Sequence, residues 1–268
     1  VLFDHIYKAV TESGLPGGCL FQAELRDEIS ELLACHESVD LLIPRGSNAF
    51  VQYIMNNTKI PVMGHADGIC HIYVDDEADT DIATKIILDA KMQYTAACNA
   101  VETLLINRKI AAAYLPVLAD AMRENGITLR GDEEVRELIK IEPLTEGGYV
   151  EYLSLTASVK LVGSVDEAIE HINRFGSHHT DSIITKNDDR AEYFMQMVDS
   201  AGVYQNCSTR FSDGFRYGFG AEVGISTGKI HARGPVGLVT YKYKLKGHGQ
   251  IVGDYAEGRS HFNYRELD

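Results

Sequence analysis

The sequence has no Cys-x-x-Cys pair, no long apolar run and no surplus of positive charge. Its five cysteines (Cys19, Cys35, Cys70, Cys98 and Cys207) are odd in number and widely scattered. That pattern argues against both a zinc ribbon and a disulfide framework, and for a reducing, cytoplasmic setting in which most thiols act as small core hydrophobes. No apolar stretch approaches the roughly 20 residues that span a bilayer, so no membrane association is expected. With 39 acidic against 25 basic side chains, the formal charge is −14. Non-specific nucleic-acid binding depends on basic surface and is not expected. An anionic small substrate remains compatible, because a few local arginines suffice for it. The opening residues "VLFDHIYKAV" lack a basic leader region, which argues against secretion. They also begin inside a pattern without an initiator Met, as a fragment would. His-x-x-x-His and His-Glu-x-x-His spacings are missing as well, and no metal site is expected.

What is present is an alternation of strands and helices. "DLLIP" (Asp40–Pro44) and "IPVMGH" (Ile60–His65) read as buried strands around a helix that Ser47 or Asn48 caps, with Phe50, Val51, Ile54 and Met55 at helical spacing. "CHIYVD" is a further strand. "DTDIATKIILDAKMQ" is a helix with acids in its first turn. "VETLLIN" reads as a strand, and "KIAAAYLPVLADAMRENG" as a helix that Pro116 should kink or break and Gly126 should end. Strands at "ITLRG", "YLSLTASVKLVGS", "TDSIITK" and "GVYQNCS" alternate with helices at "VDEAIEHINRFG" and "DDRAEYFMQMV". This order specifies an α/β fold with open parallel sheets. From Ser208 to Gly237 the chain is Gly-rich, with Arg210, Arg216, His231 and Arg233 spread through it. Such a loop can approach a ligand closely. "VTYKYKLKGHGQIVGDY" then reads as a half-exposed strand able to pair with another subunit.

Several motifs could carry chemistry. Cys98 sits in "YTAACNAVETLLI", where small neighbours leave room for a carbonyl to approach and a helix-to-strand junction offers backbone N–H groups to an oxyanion. No His lies within ten residues of it. The residues alone leave both a nucleophile and a packing thiol open. In "FGSHHTDSIIT", His179 and Thr180 suit phosphate or carboxylate contact, with a polar turn as the bland alternative. In "NCSTRFSDG", Ser208, Thr209 and Arg210 suit capture of an oxyanion, or a capped turn with a structural salt bridge. "PRGSNAF" ends a strand and opens a helix, a geometry that favours phosphate, although it lacks the Gly-x-Gly-x-x-Gly and Walker spacings. His65, Cys70 and His71 in "GHADGICHIYVDDEAD" read as core or interdomain residues.

Taken together and in order, "PRGSNAFV", "GHADGICHIYVDDEAD", "YTAACNAVETLLI", "GSHHTDSIIT", "NCSTRFSDGFRYGFGAEVGISTGKIHARGPVGL" and "TYKYKLKGHGQ" resemble the γ-glutamyl phosphate reductases, a branch of the aldehyde dehydrogenase superfamily. The stand-alone fungal type resembles it more than the bifunctional synthetase does. The resemblance implies an aldehyde dehydrogenase-like fold: residues 1–75 as the remaining part of a dinucleotide-binding domain, 76–236 as a catalytic domain, and 237–268 as an oligomerisation strand and tail. It implies NADPH-dependent reduction of L-glutamate 5-phosphate to L-glutamate 5-semialdehyde and phosphate, the second step of proline biosynthesis. A homo-oligomer functionally coupled to glutamate 5-kinase is implied too.

By the same resemblance Cys98 is the nucleophile that forms a thioester, with a lowered thiol pKa. His179, Thr180, Asp181, Ser208, Thr209 and Arg210 hold the glutamyl or phosphate end. Arg45, Gly46 and Ser47 line the cofactor side, and Glu222 lies near the interdomain cleft. His65 stands where hydrolytic relatives carry a water-activating glutamate. The sequence departs from the family by lacking an N-terminal portion with a lysine-bearing cofactor loop and an oxyanion-hole asparagine. It is also shortened at "GPVGLVTYKY" and around "EPLTEGGYVEYL". A non-catalytic oligomerising fragment of this fold, or another acylating aldehyde dehydrogenase, is the competing reading.

Overall fold

The computed structural model describes residues 1–23, 26–64, 67–218, 220, 222, 225–227, 234–235 and 243–261. Three helices come first: α1 (Leu2–Glu12), α2 (Arg26–Leu32) and α3 (Asn48–Asn57). Ser47 caps α3 through its hydroxyl, which accepts from the Phe50 N–H at 3.4 Å, while Val51 and Ile54 turn inward. The two strands expected on either side of α3 are reduced to one parallel bridge, Leu42 with Val62. Among the described residues that pair has no third strand to extend it, so a ladder does not propagate.

From Cys70 onward the elements are β1 (Cys70–Val74), α4 (Thr80–Met92), β2 (Val101–Asn107), α5 (Arg108–Glu124), β3 (Thr128–Gly131), α6 (Glu133–Leu138) and the two-residue β4 (Glu142–Pro143). They continue through β5 (Thr156–Val162), α7 (Val165–Phe175), β6 (Thr180–Ile184), α8 (Asp188–Met197) and β7 (Gly202–Cys207). A 3-10 turn, Thr209–Phe211, follows, then a small antiparallel pair of β8 (Ile225–Ser226) and β9 (Gly234–Pro235), β10 (Tyr243–Gln250) and α9 (Val252–Ala256). Eight strands form one parallel sheet in the order β10-β7-β6-β1-β2-β5-β3-β4. Parallel strands need crossovers, and the helices that supply them cover both faces. Successive residues of a strand therefore enter different cores. Ile72 and Val74 of β1 pack with Ile86, Ile87 and Leu115 on one face, whereas Tyr73 packs with Ile172 and Phe194 on the other.

β1, which ends one residue before the boundary anticipated at residue 75, lies between β2 and β6 near the middle of the sheet. Pro116 does not break α5, which runs unbroken from Arg108 to Glu124. Pro116 and Ala112, whose carbonyl loses its partner, are both exposed, so water can take the place of the missing bond. β10, the strand expected to be able to pair with another subunit, pairs in parallel with β7 on one side and stands at the edge of the sheet order. The termination of α5 follows the sequence reading: Gly126 adopts φ +73°, the left-handed conformation that closes a helix.

Candidate active site

Cys98 lies in the turn that links α4 to β2, half-buried and free of disulfide. Bonds from Ala97 N–H to the Tyr94 carbonyl (3.2 Å) and from Ala100 N–H to the Ala97 carbonyl (2.9 Å) fold this turn tightly. On one side it is walled by the segment leading into β1. A Cβ placed on Gly68 would fall 2.2 Å from the Cys98 carbonyl oxygen and 2.6 Å from its Cα, so only glycine lets the two backbones meet. The Cys70 thiol donates to the same carbonyl at 3.3 Å. Gly68→Ala should push the Cys98 turn aside, costing on the order of 1–3 kcal/mol in urea unfolding. Turnover should fall at least about tenfold; unchanged stability and turnover would show that the close approach has no role.

The other wall depends on one residue in left-handed conformation. Asn206 has φ +54°, and its amide is tied to the Thr185 backbone by bonds of 3.0 Å (Thr185 N–H to Oδ1) and 2.8 Å (Nδ2 to the Thr185 carbonyl). Asn tolerates this conformation and hydrogen-bonds locally, so the chain turns sharply as β7 ends. Ser208–Ser212 are thereby returned to the Cys98 turn. Thr209 Oγ1 donates to the Asn99 carbonyl at 2.7 Å, Asn99 Nδ2 donates to the Ser212 carbonyl at 2.8 Å, and Arg210 Nε donates to Gln93 Oε1 at 2.8 Å. The Ser208 hydroxyl accepts from the Arg210 N–H. The cationic Arg210 is thus fixed beside the thiol, and Arg216 braces it by donating to its carbonyl at 3.1 Å.

The electrostatics run against the sequence expectation of an acidic thiol. Burial, then the charges of Glu222 and Glu151, push Cys98 up to about 11, and Arg210 pulls it only part of the way back. The thiol is protonated at neutral pH without a ligand. Glu222 is itself raised by burial and accepts from the Gly214 N–H at 3.1 Å. Glu151 accepts from the Gly68 N–H at 2.9 Å and from Asn48 Nδ2 at 3.2 Å, while Asn48 also donates to Asp67. Asn48 opens α3, so the Arg45-Gly46-Ser47 turn sits at the end of a helix tied to the Cys98 wall. A Cβ on Gly46 would meet the Phe50 ring at 2.8 Å. The Arg45 charge reaches Glu222.

The second proposed substrate cluster is placed differently. Asp181 is wholly committed: Oδ1 accepts from the His71 N–H at 2.8 Å and pairs with His71 Nδ1 at 2.9 Å, and Oδ2 accepts from Ser200 at 2.5 Å. It is buried near the start of β6, with both carboxylate oxygens in hydrogen bonds inside the protein. His179 and Thr180 are buried too, joined to each other at 2.8 Å. His178, at φ +60°, binds the Asp199 carbonyl at 2.6 Å. Cys70 and His71 are core residues with no exposure. His65, His231 and Arg233 lie outside the described residues. Asp75, Asp76 and Glu77 form an acidic cluster, with the Arg190 guanidinium ion-paired to all three. Sequence reasoning missed Gln93, Glu151 and the contact role of Gly68. The sequence reads the stretch around Gly68 as a tight turn entering a strand, whereas the glycine is required by its close approach to the Cys98 backbone.

A half-buried thiol thus lies between a helix and a central parallel strand and is walled by a returning loop. The aldehyde dehydrogenase family model matches residues 2–140, and the chain belongs to that family. Within it, the chain is 55% identical over 272 residues to the γ-glutamyl phosphate reductase of Pelotomaculum thermopropionicum and 53% identical to that of Acetivibrio thermocellus. Each match covers all of this chain, which spans about 63% of the length of either relative. The crystal structure of γ-glutamyl phosphate reductase from Thermotoga maritima superposes with a TM-score of 0.84 at 41% identity, covering 88% of this chain and 58% of that one. A propionaldehyde dehydrogenase from Clostridium phytofermentans shares the fold at 17% identity and a TM-score of 0.60. No helix among the described residues is long and apolar enough to cross a membrane.

Proposed function

We propose that this chain carries the catalytic part of an NADPH-dependent γ-glutamyl phosphate reductase, converting L-glutamate 5-phosphate to L-glutamate 5-semialdehyde and phosphate. The observation that carries the reading is the half-buried Cys98 turn with Arg210 held beside it through Gln93. Cys98 Sγ attacks the acyl carbon, the C–O bond to phosphate breaks, and the thiol proton leaves on the departing phosphate. That destination balances the step, because the thiol, pushed up to about 11, brings its own proton. An acyl phosphate is already activated, so the step depends less on a general base than amide hydrolysis does. Arg210 offsets the negative charge of the phosphate and favours the developing thiolate. Ser208 and Thr209 belong to the same loop and shape its phosphate side. His179 and Thr180 stay as candidates for the glutamyl end.

The residues fit a nicotinamide dinucleotide on the far side of Cys98. Arg45 supplies a cation, Gly46 a backbone without a side chain, and Ser47 the cap of α3, whose N-terminal N–H groups favour phosphate. Such a cofactor, when bound, would supply a hydride to the acyl carbon held on Cys98; the C–S bond would then break and the Cys98 thiolate take a proton from solvent. Glu222 and Glu151 face this thioester from the protein side without a described water-activating geometry. A cytoplasmic homo-oligomer, working with a kinase that supplies the acyl phosphate, completes the proposal. The test is the reverse reaction in the full-length protein: NADP⁺ reduction by glutamate semialdehyde that requires inorganic phosphate. Turnover independent of phosphate would replace this reading with a hydrolytic one.

A further inference from the structure

Beneath the Cys98 turn lies an ion pair with no contact with water. Lys91 Nζ and Glu102 Oε2 are 2.7 Å apart, and both side chains have zero exposure. Their positions in the chain are informative. Lys91 is in the last turn of α4 and Glu102 is the second residue of β2, so the pair ties together the two ends of the turn that carries Cys98. The second oxygen of Glu102 accepts from the Leu153 N–H at 3.3 Å. Leu153 holds φ +53°, an unusual conformation for a branched, non-glycine residue. Two residues earlier, Glu151 grips the Gly68 N–H, and Gly68 abuts the Cys98 backbone. One buried carboxylate therefore connects both the base of the nucleophile turn and the segment that presses on its wall.

The pair is costly for its location. Burial drives Glu102 up to about 7 and Lys91 downward, even though each has the other as a partner. Apolar residues of similar volume often serve stability as well or better than a buried ion pair. Core filling is therefore a weak account of it, whereas holding one geometry is a use for which such pairs are suited. We propose that Lys91 and Glu102 are positioning residues that fix the Cys98 turn, directly across its base and indirectly through Leu153, Glu151 and Gly68. The proposal rests on Cys98 being the nucleophile of the proposed reaction.

The test compares the full-length parent with Lys91→Met/Glu102→Gln, which removes both charges, nearly keeps the volumes and leaves an acceptor for the Leu153 N–H. Iodoacetamide labelling of the Cys98 peptide, followed by mass spectrometry, reports the turn without any assumption about substrate. Phosphate-dependent turnover reports the chemistry. The expected result is a folded protein whose Cys98 labels at least fivefold faster and whose kcat falls about tenfold, with KM within twofold. A folded double variant with labelling and kcat both within twofold of the parent overturns the proposal. If that variant does not fold, Glu102→Asp keeps both charges and shortens the reach by one methylene, and the same thresholds decide. A parent without phosphate-dependent turnover would defeat the functional reading alone, while the labelling comparison would still decide the clamp.

Discussion

Cys98→Ser in the full-length protein will lower phosphate-dependent oxidation of glutamate semialdehyde by at least about a thousandfold. The substitution is nearly isosteric, and Cys98 makes its structural contacts through backbone atoms: its carbonyl accepts from Cys70, and its Cα and carbonyl meet Gly68. Folding should therefore survive, and circular dichroism and thermal melting should match the parent. What the proposed reaction loses is a polarizable sulfur that adds to the aldehyde and later leaves as thiolate when phosphate displaces it from the thioester. A hydroxyl in the same place, buried beside Glu222 and Glu151, would be harder still to ionise. Turnover within tenfold of the parent would remove Cys98 from the role of nucleophile.

Arg210→Gln is expected to weaken phosphate-dependent turnover about 10- to 100-fold, the range for losing a charged hydrogen-bond donor at a buried site. Two consequences should separate cleanly. The KM for phosphate should rise, because a cation whose charge acts at the thiol is gone. The pH profile of Cys98 labelling should move to higher pH, since Arg210 is the group that favours the thiolate against burial and two carboxylates. A cation stabilises the deprotonated thiol, so its removal can only raise the pKa. If the KM for phosphate and the labelling profile are both unmoved, Arg210 is a structural residue held by Gln93 and nothing more.

Much of the fold could be read along the chain. β1, β2, β6 and β7 appear as short apolar runs, and Asp79, Asn107, Ser164 and Asn187 cap the helices that follow or separate them. These are local signals, set by side-chain period and by hydrogen bonds within three residues. What such local signals do not reveal are partners distant in sequence. "DLLIP" has strand composition, yet a strand needs neighbours, and among the described residues Leu42 forms an isolated bridge with Val62. Asp181 looked like a ligand group beside two histidines, and its oxygens are taken by His71, 110 residues earlier in the chain, and by Ser200.

The site divides along the same line. That Cys98 lies at a helix-to-strand junction among small residues, and that Ser208-Thr209-Arg210 forms a donor-rich loop, follows from the sequence by itself. So does the absence of a nearby histidine base. Only the tertiary structure decided that these two segments meet, because the meeting depends on the reversal at Asn206 and on bonds from Asn99 and Gln93 to residues more than 100 positions away. It also decided the state of the thiol. A pKa depends on burial and on which charges surround the sulfur, and Glu151, Glu222 and Arg210 come to Cys98 from three distant parts of the chain.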